Sequence, residues 1–220
     1  MRLFSLITFC VLSSIPAKAQ LEGFHAGARF GIGESQLSAS GYQEIQDKLH
    51  FSFGFISNYG FNEHLGIGVD ILAGITRAKG FGEVVDNGGI FGSATYKFED
   101  DLRFFDLNVP LLVKLSAGKG NFRPYLLGGP SLNFTLFATE KRTYADGNYH
   151  QAYGYDEREL TNKENTHFSL VYGAGILIKA LEKSGYFMEF RMNHPLTPAG
   201  RLNGQDYKLS FFSLNLGYYF

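Results

Sequence analysis

The chain has 220 residues, among them 27 Gly, 22 Phe and 13 Tyr, with no Trp, a single Cys and a formal net charge of −1. That charge gives no electrostatic case for nucleic acid, which is held through clustered cations. After the N-terminal segment no stretch reaches the roughly 18 apolar residues of a membrane helix, so a membrane protein of this composition must be a closed β-barrel, the other structure that satisfies every backbone group in lipid.

The N-terminus opens on Met1-Arg2, continues with an apolar run from Leu3 to Leu12 broken by Ser5 and Thr8, and ends on Ile15-Pro16-Ala17-Lys18-Ala19. A positive start, a short apolar run and a small-x-small site predict a secretory signal peptide over 1–19, cleaved after Ala19. Cys10 lies inside the apolar run and not at its end, so it does not read as a lipid attachment site. The exported part, 20–220, then holds no cysteine and has no disulfide or thiolate-metal chemistry available.

From there the chain alternates with a period of two, as a barrel strand in lipid should. Phe24, Ala26, Ala28, Phe30 and Ile32 oppose His25, Gly27, Arg29, Gly31 and Gly33. Phe51, Phe53, Phe55 and Tyr59 oppose Ser52, Gly54, Asn58 and Gly60. Leu65, Ile67, Val69, Ile71 and Ile75 oppose Gly66, Gly68, Asp70, Gly74 and Thr76. Phe105, Leu107, Val109, Leu111 and Val113 oppose Asp106, Asn108, Pro110, Leu112 and Lys114. Leu126, Leu132, Phe134 and Leu136 oppose Ser131, Asn133 and Thr135. Phe168, Leu170, Tyr172, Ala174, Ile176 and Ile178 oppose Ser169, Gly173, Gly175 and Lys179, with Val171 and Leu177 as apolar exceptions. Tyr186, Met188, Phe190 and Met192 oppose Phe187, Glu189, Arg191 and Asn193. Phe212, Leu214, Leu216, Tyr218 and Phe220 oppose Ser213, Asn215, Gly217 and Tyr219.

Eight segments, an even number, predict an all-β, eight-stranded antiparallel up-and-down transmembrane barrel. A soluble sandwich or lipocalin would carry its charges on the outer face; here the charged strand residues share the glycine-rich face. The Gly-x-Trp signature of lipocalins is also excluded, since there is no Trp. The connections 61–64, 117–121 and 181–185 are short, and those over 34–49, 77–101, 141–166 and 195–206 are longer and polar. Short turns belong to the periplasm and long loops to the outside, which places both termini on the periplasmic side.

The segments FFDLNVPLLVKL (Phe104 to Leu115) and RPYLLGGPSLNF (Arg123 to Phe134) resemble the central hairpin of the outer-membrane β-barrel domain family that includes the PorT-like proteins. YGAGILIK (Tyr172 to Lys179), MEFRMNHPLT (Met188 to Thr197) and the ending LNLGYYF (Leu214 to Phe220) extend the resemblance over the exported chain. It implies a small porin-family barrel of the cell outer membrane. It also implies a role accessory to secretion or envelope assembly, and an assembly signal at Tyr218 and Phe220 read by the barrel-assembly machinery. Within the hairpin, Pro110 and Pro130 interrupt the ladder, and Gly128-Gly129 suits a bulge or a close backbone approach.

In this register Arg29, Asp70, Asp106, Lys114, Lys179, Glu189 and Arg191 point inward. Eight strands leave a lumen just wide enough for side chains, so four cations and three carboxylates should pair into a polar plug. A sealed structural barrel follows, with a small passive pore as the alternative. His167-Phe168-Ser169 resembles the His-x-Ser of lipid A deacylase barrels. However, Glu182 sits about fifteen residues further along the chain, too far to orient the imidazole, and both His167 and Ser169 face the lumen, so His167 reads as a loop-edge residue. His25, His50, His64, His150 and His194 are scattered without metal-ligand spacing. No catalytic residue, metal or cofactor is expected. Tyr144, Tyr149, Tyr153 and Tyr155, set among charges in 141–166, suit recognition of a protein partner; the alternative is an aromatic belt facing lipopolysaccharide.

Overall fold

The computed structural model describes residues 23–39, 42, 44–62, 64–86, 94–117, 121–144, 158–159, 166–181, 184–202 and 205–220. The predicted signal segment 1–19 lies outside them. Eight long strands form the wall: β1 (Gly23–Ala39), β2 (Glu44–Gly60), β3 (Leu65–Asp86), β4 (Ala94–Ser116), β5 (Phe122–Tyr144), β7 (Thr166–Leu181), β8 (Ser184–Pro195) and β10 (Gln205–Tyr219). Two short pieces, β6 (Arg158–Glu159) and β9 (Gly200–Leu202), pair with β5 and β10. Each long strand is antiparallel to its sequence neighbour, and β1 pairs β10 from Gly27↔Tyr219 to Ala39↔Tyr207, which closes the ring. Closure leaves the wall without a free edge, the condition for crossing lipid with strands.

The alternation fixes which face is which. Phe55 is 72% exposed, whereas Asp70 and Asn215 are fully buried. From Leu65 to Ile75 on β3 and from Phe105 to Leu115 on β4 every outward residue is apolar, about the length needed to cross a bilayer at a tilt. The outward faces then turn polar at Glu34 on β1, Arg77 on β3, Arg103 on β4 and Lys208 on β10, all exposed.

Here the sequence expectation needs correction, because 34–49 and 77–101 are not chiefly loops. β1 runs on to Ala39 and β2 starts at Glu44, while β3 reaches Asp86 and β4 starts at Ala94. Above the lipid boundary water can meet the outer face, so the pattern inverts. The inward positions become apolar and bury Leu37, Ala78, Leu102, Phe104, Ala138, Ala199, Tyr207 and Leu209 in one cluster. An apolar-outside test ends each strand at its first outward charge and misses this continuation.

A second departure lies on β5. The pairing with β4 steps from Phe105↔Phe137 to Asp106↔Thr135, leaving Leu136 as the extra residue of a β-bulge. Leu136 and Phe137 both face outward, so Ala138, Glu140 and Arg142 turn inward. At Gly128-Gly129, by contrast, the register is the same on both sides, Pro110↔Ser131 and Val113↔Gly128. The glycines serve a close approach: a Cβ on Gly129 would stand 1.9 Å from the Leu111 carbonyl oxygen.

Candidate functional site

Among the described residues the wall concentrates its buried charge in the lumen, so the site is built from its inward positions. Odd positions of β1 and β8 and even positions of β3 and β4 converge there, and the register brings Arg29, Asp70, Glu189 and Arg191 together. Arg191 Nη1 donates to Asp70 Oδ2 at 2.7 Å, and its Nε lies 2.5 Å from Glu189 Oε1. Arg29 Nη1 donates to Glu189 Oε1 at 3.3 Å and lies 3.5 Å from Asp70 Oδ2. Tyr125 Oη donates to Glu189 Oε2 at 2.8 Å. Each carboxylate thus bridges two guanidinium groups, which offsets the desolvation of four buried ions.

The other three inward charges are placed differently. Lys114 Nζ donates to Tyr219 Oη at 2.5 Å and lies over the Tyr219 and Tyr125 rings, 5.3 and 5.5 Å from their centroids. An ammonium over two aromatic faces is held by their quadrupoles as well as by the hydroxyl. Lys179 is half-buried at the periplasmic mouth, where it lines a cavity of about 70 Å³ with His25, Lys114, Arg123, Tyr125 and Tyr219. Asp106 is buried, and among the described residues it forms no ion pair and its Oδ1 has no hydrogen-bond partner. The sequence placed all seven charges on the inner face but not their grouping, since distance along the barrel depends on strand stagger.

Around these charges lies a neutral polar zone. Asn133 Nδ2 donates to Ser169 Oγ at 2.8 Å, Ser131 Oγ donates to Asn133 Oδ1 at 3.0 Å, and Asn215 Nδ2 donates to Ser213 Oγ at 3.1 Å. His50 stacks on Phe211 at 3.9 Å between centroids, with Nδ1 2.9 Å from Thr76 Oγ1. His167, the second residue of β7, stands at the strand's loop end and faces inward, where it is buried. Its Nδ1 has no hydrogen-bond partner among the described residues, and Ser169 Oγ is engaged by Asn133. Glu182 lies outside the described residues. Among the described residues no group of three His, Cys, Asp or Glu is placed to hold a metal ion.

Beyond the polar zone sits the apolar cluster, with the Phe104 and Tyr207 rings 5.5 Å apart. On its far side the β5 bulge delivers a second charged group. Arg142 donates through Nε to Asp100 Oδ1 at 2.7 Å and through Nη2 to Asp100 Oδ2 at 2.8 Å, and Nη2 also reaches Glu140 Oε1 at 3.1 Å. The guanidinium lies 4.1 Å from the centroid of Phe98. Tyr42 Oη donates to Asp100 Oδ2 at 2.9 Å, and burial, followed by the nearby Asp100 carboxylate, pushes its phenol above the ordinary tyrosine value.

Sequence reasoning missed this outer group because the unbroken parity from Ser131 to Thr135 would turn Glu140 and Arg142 outward. It also left out Tyr125, although extending the Ser131 and Asn133 parity backward reaches it. Of the four loop tyrosines, Tyr144 is described, half-buried at the end of β5 with its ring 6.4 Å from Phe98; Tyr149, Tyr153 and Tyr155 lie outside the described residues, as does His150. Tyr218 faces outward beside Tyr186, with ring centroids 4.9 Å apart, and exposed Phe220 donates its backbone N–H to Ala26 at 2.9 Å.

The family model of the outer membrane protein beta-barrel domain matches residues 5–220. Among solved structures, the chain is similar to OprG from Pseudomonas aeruginosa (13% identity, 92% of this chain and 98% of that one, TM-score 0.48). It is also similar to Neisserial surface protein A (15%, 90% and 98%, TM-score 0.47). A third is Ail, the attachment invasion locus protein of Yersinia pestis, in complex with the heparin analogue sucrose octasulfate (15%, 90% and 99%, TM-score 0.40). No curated protein matches the chain.

Proposed function

The chain belongs to the outer membrane protein beta-barrel domain family, and from that premise we propose a sealed, non-enzymatic barrel that acts through its extracellular rim and conducts no solutes. The observation that carries this reading is the filling of the lumen in successive layers. The Arg29–Asp70–Glu189–Arg191 group is followed by a neutral polar zone, then by the apolar cluster of Leu102, Phe104, Tyr207 and Leu209, then by Arg142 on Asp100. An ion crossing the barrel would have to displace paired charges and then pass an apolar layer, which is expensive at each step.

A site for lipid modification has little support here, since Ser169 is tied to Asn133 inside the barrel. The strands that continue past the lipid boundary make a rigid platform, and rigid scaffolds suit recognition by the loops they carry. The partners consistent with this reading are outer-membrane lipid and lipopolysaccharide around the wall and a protein partner at the rim. The barrel-assembly machinery would engage Tyr218 and Phe220 during insertion. The hairpin Phe104 to Phe134 favours the PorT-like branch of the family, and with it a role accessory to secretion or envelope assembly.

Planar-bilayer recording on refolded protein tests the sealed reading. The expected trace shows no discrete channels. Stable unitary currents that disappear on filling the lumen with Gly68→Leu would overturn it.

A further inference from the structure

A small cavity of about 20 Å³ inside the lumen is bordered by Arg29, Arg191, His50, Ser52, Asn193 and Ser213. Its volume exceeds the roughly 10–15 Å³ that one water-sized occupant requires. Four of these residues carry a buried atom without a hydrogen-bond partner among the described residues: Arg29 Nε, Arg191 Nη2, Ser52 Oγ and His50 Nε2. Two of the four atoms are donors only, Ser52 Oγ can donate, and His50 joins them in the tautomer whose Nδ1 accepts from Thr76 at 2.9 Å. No Asp or Glu is among the described residues that line the cavity.

The charge balance points the same way. Arg29, Arg191 and Lys114 are buried cations, and Asp70 and Glu189 are the carboxylates that bridge or face them. Three positive charges meet two negative ones, which leaves one unit of positive charge in a low-dielectric interior, a costly state. Asp106 is turned elsewhere, toward Thr135 and Tyr207.

We propose that the cavity is an anion site, which holds a single monovalent halide-sized ion between the Arg29 and Arg191 guanidinium groups and the Ser52 hydroxyl. A water molecule can accept from at most two of these donors and would leave the excess charge in place. The volume excludes phosphate or sulfate, with their four oxygens. The ion completes the polar plug, so the barrel traps it as it closes.

Bromide reports on this directly. Wild-type protein is refolded from urea in sodium bromide, crystallised, and its diffraction measured at the bromine absorption edge. An anomalous peak is expected between Arg29 and Arg191; density without anomalous signal there, meaning an ordered water, would overturn the site. In detergent solution, chloride should raise the thermal midpoint of the wild type by a few degrees over gluconate at equal ionic strength. Lys114→Met removes the excess cation and leaves the cavity lining intact, so that shift should fall by at least half. A chloride effect of the same size in both proteins, or in neither, would refute the charge-balance argument.

Discussion

Arg191 crosses the lumen to Asp70, donating through Nη1 to Oδ2 at 2.7 Å between residues 121 positions apart in the chain. Glu189, two residues before Arg191 on the same face of β8, accepts from Arg29 and Tyr125 and lies against the Arg191 Nε. The pair is therefore one node of a network spanning β1, β3, β5 and β8. Such nodes resist single substitutions poorly, because the partner left behind stays buried and charged.

Glu189→Ala should accordingly lower the free energy of unfolding by about 3–5 kcal/mol, the cost typical of breaking a buried pair. Phe190→Leu, one position along but outward, should cost less than about 1.5 kcal/mol, since lipid fills around either side chain. Urea unfolding of both variants in micelles measures the contrast. Equal losses at 189 and 190 would contradict the assigned faces.

The outward face has its own test at the same residue. Phe190 is exposed and its ring centroid lies 5.9 Å from that of Phe212. Phe190→Arg places a guanidinium against hydrocarbon and should cost about 2–4 kcal/mol near the bilayer midplane. On gels the folded wild type should migrate differently from boiled protein, and the variant should lose that difference at a lower temperature. An Arg variant as stable as the wild type in bilayers would mean that this face never meets lipid.

Tyr42 gives the rim a dependence on high pH. Its phenol is held above the ordinary value by burial first and by the carboxylate of Asp100 second. A group raised on folding adds stability that is complete below its unfolded value, about 10, and is lost as pH climbs past it. Wild-type stability minus that of Tyr42→Phe should thus be flat from neutral pH to about 9 and shrink above about 10. Taking the difference removes what the other tyrosines contribute. A difference that stays constant up to pH 11 would show that the Tyr42 hydroxyl gains no protection from folding.

Much of this was legible in the chain. The segments around Phe190 and Phe105 alternate cleanly, and one slipped residue would move Glu189, Arg191 or Asp106 into lipid, so face and register follow from cost alone. The grouping of Arg29 with Asp70 and Glu189 was not legible, because period two gives the side of the wall but not the height at which strands meet. The outer charged group was hidden for a different reason. Past Glu34, Arg77 and Arg103 the solvent changes from lipid to water, and the rule relating pattern to face reverses there. Leu102 and Phe104, apolar and inward, carry the signal that could have disclosed it.

The bulge on β5 supplies the sharpest test of that rim. Leu136 and Phe137 share the outward side, and Phe137 already stands opposite Phe105. Deleting Leu136 leaves Thr135 inward, Phe137 outward and Ala138 inward, so Glu140 and Arg142 keep their side of the wall; only the local twist of the bulge is lost. The expected cost is small, about 1 kcal/mol or less. Deleting Thr139 instead removes a residue beyond the bulge and flips all that follows. Lys141 would then point inward, and Arg142 would leave Asp100, which is fully buried. Breaking that pair should cost about 3–5 kcal/mol, concentrated in the rim. Limited proteolysis of proteoliposomes with the rim outside, read together with urea unfolding, distinguishes the two deletions. The Thr139 deletion should be cut within the extracellular half of β4 and β5, while the Leu136 deletion should resist as the wild type does. The opposite ranking would mean that the bulge does not set the phase of Arg142, and that its pairing with Asp100 is made by the loop alone.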